Sequence, residues 1–253
     1  MARYIAKETG KDVSELPYSV LTSEQLRKEF GQATFFTATD GNHGRGVAWA
    51  ANRLGQKAVV HMPKGTTQTR LQNIAKEGSQ VDIQELNYDD CVRLAAKEAD
   101  ETPRGVIVQD TAWDGYEEIP AWIMQGYSTM AMEAGEQLKA QGCERPTHIF
   151  VQAGVGSLAG AVVGYFSNLY ADNLPTFVVV EAEAAACLYK GAAAGESGAA
   201  PFGALAAMMT MDEYKDLRND IGLDENSKVL LFSTEGDTDP DRYKNIVWKG
   251  LDK

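Results

Sequence analysis

Between Thr34 and Lys249 the chain alternates short apolar runs with longer amphipathic ones, and this rhythm restricts the fold more than any other feature. "TFFTAT" reads as a strand and "HGRGVAWAANRLG" as the helix after it. "KAVVHMP", "QVDIQEL" and "GVIVQD" are further strands, separated by the helical stretches "TQTRLQNIAKEG" and "DDCVRLAAKEADE". A long helix over Ile119 to Gln141 leads into "THIFVQA", a helix after "GVGS" leads into "TFVVVEA", and "KVLLFST" is a last strand before a short helix from Asp239. Such repetition predicts an α/β fold with open, mostly parallel sheets and helices on both faces. A chain of 253 residues can form one large domain or two lobes of this kind. Ligands in this architecture bind beyond the carboxyl ends of strands, so the residues just after the apolar runs carry the chemistry.

Charge and composition exclude other classes. The formal net charge is -12 and no basic block stands out, so nucleic acid is not an expected partner. No stretch of 18 apolar residues occurs and "MARYIAKETGKD" has no long apolar core, so neither a membrane span nor a signal peptide is expected. Cys91, Cys143 and Cys187 are odd in number and far apart, which fits a reducing cytoplasm and gives neither a zinc spacing nor a disulfide framework. No metal cluster emerges. His61 and His148 lie in strands and are expected to be packed, whereas Cys187 and His43 stay open as reactive groups.

Three strand-end loops and the tail stand out. In "TATDGNHGRG", Gly41 and Gly44 permit a tight turn, Asp40 and Asn42 can orient a polar ligand, and His43 can be a base or a helix-capping donor. Asp40 or Asn42 acting only as a helix cap is the competing reading. In "VQAGVGSLAG", the successive amides of Gly154, Val155, Gly156 and Ser157 suit a phosphate, with tight helix–sheet packing as the alternative. In "VQDTAWDGYEEIP", Asp110 ends a strand and is expected to face the crevice. Trp113 and Tyr116 are expected in the core, and Glu117 and Glu118 in the first turn of the next helix. "FSTEGDTDPDRY" adds Ser233 and Thr234 just past a strand, as ligand contacts or as caps.

Together "TATDGNHGRGVAWAANRLG", "MPKGTTQTRLQNI", "VQDTAWDGYEEIPAWIMQGY", "QAGVGSLAG" and "FSTEGDTDPDRY" resemble the diaminopropionate ammonia-lyases, fold type II (tryptophan synthase beta-like) enzymes that use pyridoxal phosphate. The resemblance implies that Asn42 bonds the cofactor's 3'-oxygen and that Gly154, Val155, Gly156 and Ser157 cradle its phosphate. It implies that Ser233 or Thr234 faces the pyridine nitrogen and that Glu196 and Ser197 line the site. Asp40 and Asp110 resemble the family's acid/base carboxylates. The implied reaction removes ammonia from 2,3-diaminopropionate and yields pyruvate and a second ammonia.

The resemblance also implies two departures. The family's Schiff-base lysine lies before the segment resembled by "ARYIAKETGKDVSELPYSVLT" and is expected to be lacking, since Lys7 and Lys11 read as residues of a surface helix. The family's longer stretch near Gly195 is expected to be shortened here. The implied lobes are 34–140 and, for the larger one, 1–33 with 141–253, shortened near 191–203, in a homodimer. Two alternatives accompany the lyase: a relative that binds pyridoxal phosphate or a similar phosphorylated ligand without turnover, and a remnant or interaction subunit.

Overall fold

The computed structural model describes residues 1–39, 41–181 and 196–236. Asp40, Cys187, the stretch around Gly195 and the helix expected from Asp239 lie outside the described residues. The chain divides into two compact units, Met1–Pro120 and Ala121–Lys253. In the first, α1 (Ala2–Thr9), α2 (Tyr18–Leu21) and α3 (Glu24–Phe30) precede the sheet. Residues 1–33 sit with the first unit, where Tyr4 sets its ring edge-on against Phe30 and Phe35, with centroids 6.2 and 5.9 Å apart.

The first sheet contains β1 (Thr34–Ala38), β2 (Lys57–Met62), β3 (Gln80–Ile83) and β4 (Gly105–Ile107). Their order is β3-β2-β1-β4 and every pairing is parallel. Alternation along the strands supplies both faces of the sheet. Val60 and Met62 pack with Ala48 of α4 (Asn42–Arg53) and Ile74 of α5 (Gln68–Ala75). Val59, Phe36 and Ile107 instead meet Ala95 and Ala99 of α6 (Tyr88–Glu101). Close approach of α4 requires glycine at position 44: a Cβ there would stand 2.2 Å from Thr39 Cγ2 and 2.9 Å from Val60 Cγ1.

The second unit receives α7 (Glu118–Ala140) and contains β5 (His148–Gln152), β6 (Thr176–Val180) and β7 (Val229–Leu231). The order is β6-β5-β7, again parallel throughout. Ile149 and Val151 pack with Ala131 of α7 and with Ala159, Val162 and Phe166 of α8 (Ser157–Leu169). The glycine- and alanine-rich region supplies α9 (Glu196–Thr210), which packs against β5 and β6, and α10 (Lys215–Asp220) comes next. Phe35, Phe150 and Phe166 are fully buried, each contributing about 1.5–3 kcal/mol through removal of its ring from water.

Both expected packed histidines are buried, and both have polar partners. His61 places Nδ1 2.8 Å from Asp82 Oδ1 and Nε2 3.0 Å from Glu98 Oε2. His148 places Nε2 2.9 Å from the Ile221 carbonyl oxygen. Among the described residues, no helix is long and apolar enough to cross a membrane.

Candidate active site

Strand β4 ends at Ile107 opposite Phe36, two residues before its neighbour β1 ends at Ala38, and after one more backbone bond a side chain holds the two segments together in place of a continued ladder. Val108 N donates to Phe36 O at 2.8 Å. One residue on, the fully buried Gln109 side chain takes over the pairing. Its Oε1 accepts from Ala38 N (3.1 Å) and Thr37 Oγ1 (3.0 Å), and its two Nε2 hydrogens are shared among Tyr88 Oη (2.7 Å), Ala38 O (3.2 Å) and Asp110 Oδ1 (3.2 Å). Thr39 Oγ1 accepts from Gly41 N (3.0 Å) and Gly44 N (3.2 Å), which ties the start of α4 to the end of β1. A hydroxyl in this role satisfies amides that a helix N-terminus leaves unpaired. Sequence reasoning singled out neither Gln109 nor Thr39.

Two of the expected residues come together here. His43 Nε2 lies 2.9 Å from Val108 O, and because a carbonyl only accepts, that nitrogen carries a proton. The other nitrogen, Nδ1, stands 3.8 Å from Asp110 Oδ2, with both side chains 13% exposed. Asn42 is the exposed first residue of α4.

The aromatic pair after Asp110 is not the core pair expected. Trp113 is 38% exposed and stacks on Tyr116 with centroids 4.1 Å apart. The Tyr116 hydroxyl accepts from Gln109 N at 2.7 Å and lies 3.1 Å from Ile107 O. Burial pushes this phenol well above its usual range, nearby Asp110 adds to the shift, and the Gln109 amide opposes it. Glu118 is in the first turn of α7 as expected, but Glu117 lies before the helix, where its carboxylate accepts from Gly115 N at 3.0 Å.

The second unit repeats the device of a glutamine reaching across strand ends. Gln152, the last residue of β5, donates from Nε2 to Thr234 Oγ1 at 2.8 Å beyond β7. Its Oε1 is buried and has no hydrogen-bond partner among the described residues. Ser233 and Thr234 are exposed. Glu235, also not singled out in the sequence, accepts from Gly198 N at 3.3 Å in the first turn of α9. Glu196 and Ser197 open that helix, and their side chains lie outside the described residues.

Behind β5 the chain enters α8 through Gly154, Val155 and Gly156, all exposed, to the buried Ser157. Gly156 is the N-cap, with φ 93, and supplies no side-chain cap. Nothing lies within 4 Å of where a Cβ would stand at Gly154 or Gly156. Backbone amides at an uncapped helix start, with open space beside them, fit a phosphate group. Among the described residues, no group of three or more His, Cys, Asp or Glu side chains is arranged to hold a metal ion.

Residues 16–226 match the family described as "Pyridoxal-phosphate dependent enzyme", and the parallel sheets with helices on both faces are the fold type II form of that class. Diaminopropionate ammonia-lyase of Salmonella typhimurium (strain LT2) is 40% identical over 317 residues, covering 99% of this chain and 78% of the relative. The Escherichia coli (strain K12) diaminopropionate ammonia-lyase is 36% identical over 300 residues, covering 93% and 75%. The crystal structure of the Escherichia coli enzyme in apo form aligns with a TM-score of 0.88 at 38% identity, covering 99% of this chain and 76% of that one. The chain belongs to the diaminopropionate ammonia-lyase family, whose cofactor is pyridoxal phosphate.

Proposed function

We propose that this chain binds pyridoxal phosphate and takes 2,3-diaminopropionate and water to pyruvate and two molecules of ammonia. The observation that carries this reading is the 40% identity with the Salmonella ammonia-lyase across 99% of the chain. Bound cofactor supplies an electron sink for the electron pair released at the α-carbon of an amino acid. The protein's part is to bind, orient and move protons. Gly154, Val155, Gly156 and Ser157 would hold the phosphate, Asn42 the 3'-oxygen, and Ser233 or Thr234 the pyridine nitrogen, with Glu196 and Ser197 along the site. Asp40 and Asp110 are the proposed acid/base groups. Asp110 Oδ2 takes or returns a proton, and His43 Nδ1, 3.8 Å away, is the adjacent atom able to share it.

The chain is, in this reading, a shortened member of its family. The Salmonella alignment extends over 317 residues against the 253 of this chain, which supports an internal shortening. A homodimer belongs to the same proposal, supported by exposed Leu174 and Val179 in the second unit. A second reading, binding without turnover, is favoured by the surface pairing of the N-terminal lysines. Lys7 Nζ lies 2.9 Å from Glu118 and Lys11 Nζ 2.6 Å from Glu29, so neither is assigned the family's Schiff-base role.

A visible-absorbance titration with pyridoxal phosphate, then an ammonia assay on 2,3-diaminopropionate, separates the readings. Saturable binding with ammonia release that Asp110→Asn abolishes supports the lyase. Saturable binding without release supports the second reading, and no saturable change removes both.

A further inference from the structure

Apart from the strand-end residues already described, the first unit has a recess of about 390 Å³ between the start of α6 and the loop after β4. Its volume lies within the range of small-ligand sites. Four features of its lining point to a ligand. Thr111 Oγ1 is buried and has no hydrogen-bond partner among the described residues, an unfavourable state that a bound polar group relieves. Trp113 forms an apolar wall that is 38% exposed although Tyr116 stacks on the ring. Asp89 presents an exposed carboxylate whose charge acts on Arg93, one helical turn on. Arg93 bonds Asp90 Oδ1 through Nε (3.1 Å) and Nη2 (2.6 Å), which leaves its Nη1 edge unengaged among the described residues.

Asp89 and Arg93 are four residues apart on α6, so an anionic and a cationic group adjoin on one helical face. Beside them lie an apolar wall and an unsatisfied hydroxyl. An amine alone would leave the guanidinium edge unused, and a carboxylate alone would leave Asp89 unused. We propose that this recess binds a free, zwitterionic α-amino acid with an aromatic side chain. Its ammonium group meets Asp89, its carboxylate meets Arg93 Nη1, Thr111 Oγ1 completes the polar contacts and the side chain lies against Trp113.

Occupancy also bears on Asp110. Tyr88 lines the recess, and its hydroxyl accepts from the same Gln109 Nε2 that lies 3.2 Å from Asp110 Oδ1. The recess and the strand-end carboxylate therefore sit on one hydrogen-bonded chain.

Calorimetric titration of the full chain without cofactor tests the proposal independently of the lyase reading. Three probes are used: L-phenylalanine, phenethylamine, which lacks the carboxylate, and phenylpropionate, which lacks the ammonium. L-Phenylalanine is expected to saturate, with each half-ligand about tenfold weaker or more. Thr111→Val, an isosteric change, and Arg93→Gln are each expected to weaken L-phenylalanine about tenfold while the melting temperature holds. The proposal is overturned by absence of saturation up to ~20 mM, by either half-ligand binding as tightly as the amino acid, or by unchanged affinity in both variants.

Discussion

Gln109 pairs with the backbone of Ala38 through both ends of its side-chain amide, Oε1 to the nitrogen at 3.1 Å and Nε2 to the carbonyl oxygen at 3.2 Å. A side chain here does what the next residue of β4 would do in a longer ladder, and it leaves the chain free to turn at Asp110. Replacing it with leucine strands the Ala38 N–H and takes one partner each from the Ala38 carbonyl, the Thr37 hydroxyl and the Tyr88 hydroxyl. Gln109→Leu is expected to lower stability by about 3 kcal/mol. Urea unfolding would show this as a lower midpoint at unchanged slope, and a loss under ~1 kcal/mol would mean that the pairing is dispensable.

Gly44 is the point at which α4 touches the sheet. Its would-be Cβ lies 2.2 Å from Thr39 Cγ2, and Thr39 Oγ1 holds the first amides of the same helix. Gly44→Ala is expected to cost about 1–3 kcal/mol through overpacking. It is also expected to weaken cofactor binding, because Asn42 moves with the helix start. Thermal melting and the absorbance titration read the two effects, and an alanine variant with wild-type melting would remove the argument.

Gly156 has φ 93, where an added side chain is strained, whereas Gly164 lies inside α8 with open space around it. Gly156→Ala is expected to lose about 1–2 kcal/mol of stability and about tenfold in pyridoxal phosphate affinity. Gly164→Ala is expected to be neutral or to stabilise by about 0.5–1 kcal/mol. Equal cofactor affinity in the two variants would contradict a phosphate site at the start of α8.

Burial holds the Tyr116 phenol in its neutral form far above the ordinary value of 10. The unfolded chain releases that proton near pH 10 and the folded chain keeps it, so above pH 10 the folded state binds more protons. Stability from this residue is therefore fully present below about pH 10 and falls as pH rises further, at up to about 1.4 kcal/mol per pH unit. Melting temperatures should fall increasingly from pH ~9 to ~11, and Tyr116→Phe should flatten that dependence on pH. An unaltered slope in that variant would assign the effect to other groups.

Much of the fold was legible because its signals are local. The runs "TFFTAT", "KAVVHMP" and "THIFVQA" contain β1, β2 and β5, and the helix expected over Ile119 to Gln141 is observed at Glu118–Ala140. The strands expected from "GVIVQD" and "KVLLFST" stop early, at Ile107 and Leu231. In the first case a side chain, Gln109, replaces the ladder, and its partners Thr37 and Ala38 lie about seventy residues away, a relation that no local pattern records. Thr39 carries no such signal either, because a hydroxyl at the end of an apolar run reads as the strand's edge rather than as the anchor of the next helix. Residue type alone places Trp113 in the core, yet neighbouring Tyr116 has the buried hydroxyl network and Trp113 keeps an exposed surface.

The parallel registers also set an order of assembly. Thr34 lies beside Lys57 on one side and beside Gly105 on the other, and His148 lies beside Thr176 and Val229. Each sheet thus has a central strand whose first partner comes after one helix and whose second arrives only after much more chain has been made. A ribosome releases the β1–β2 and β5–β6 pairs first, and neither sheet can close its second edge until β4 or β7 has emerged. Such long-range closure slows folding and leaves a strand edge open in the meantime. Asp110 follows β4 and Ser233 and Thr234 follow β7, so within each unit these parts of the proposed site come into place after the loops that carry Asn42 and Gly154.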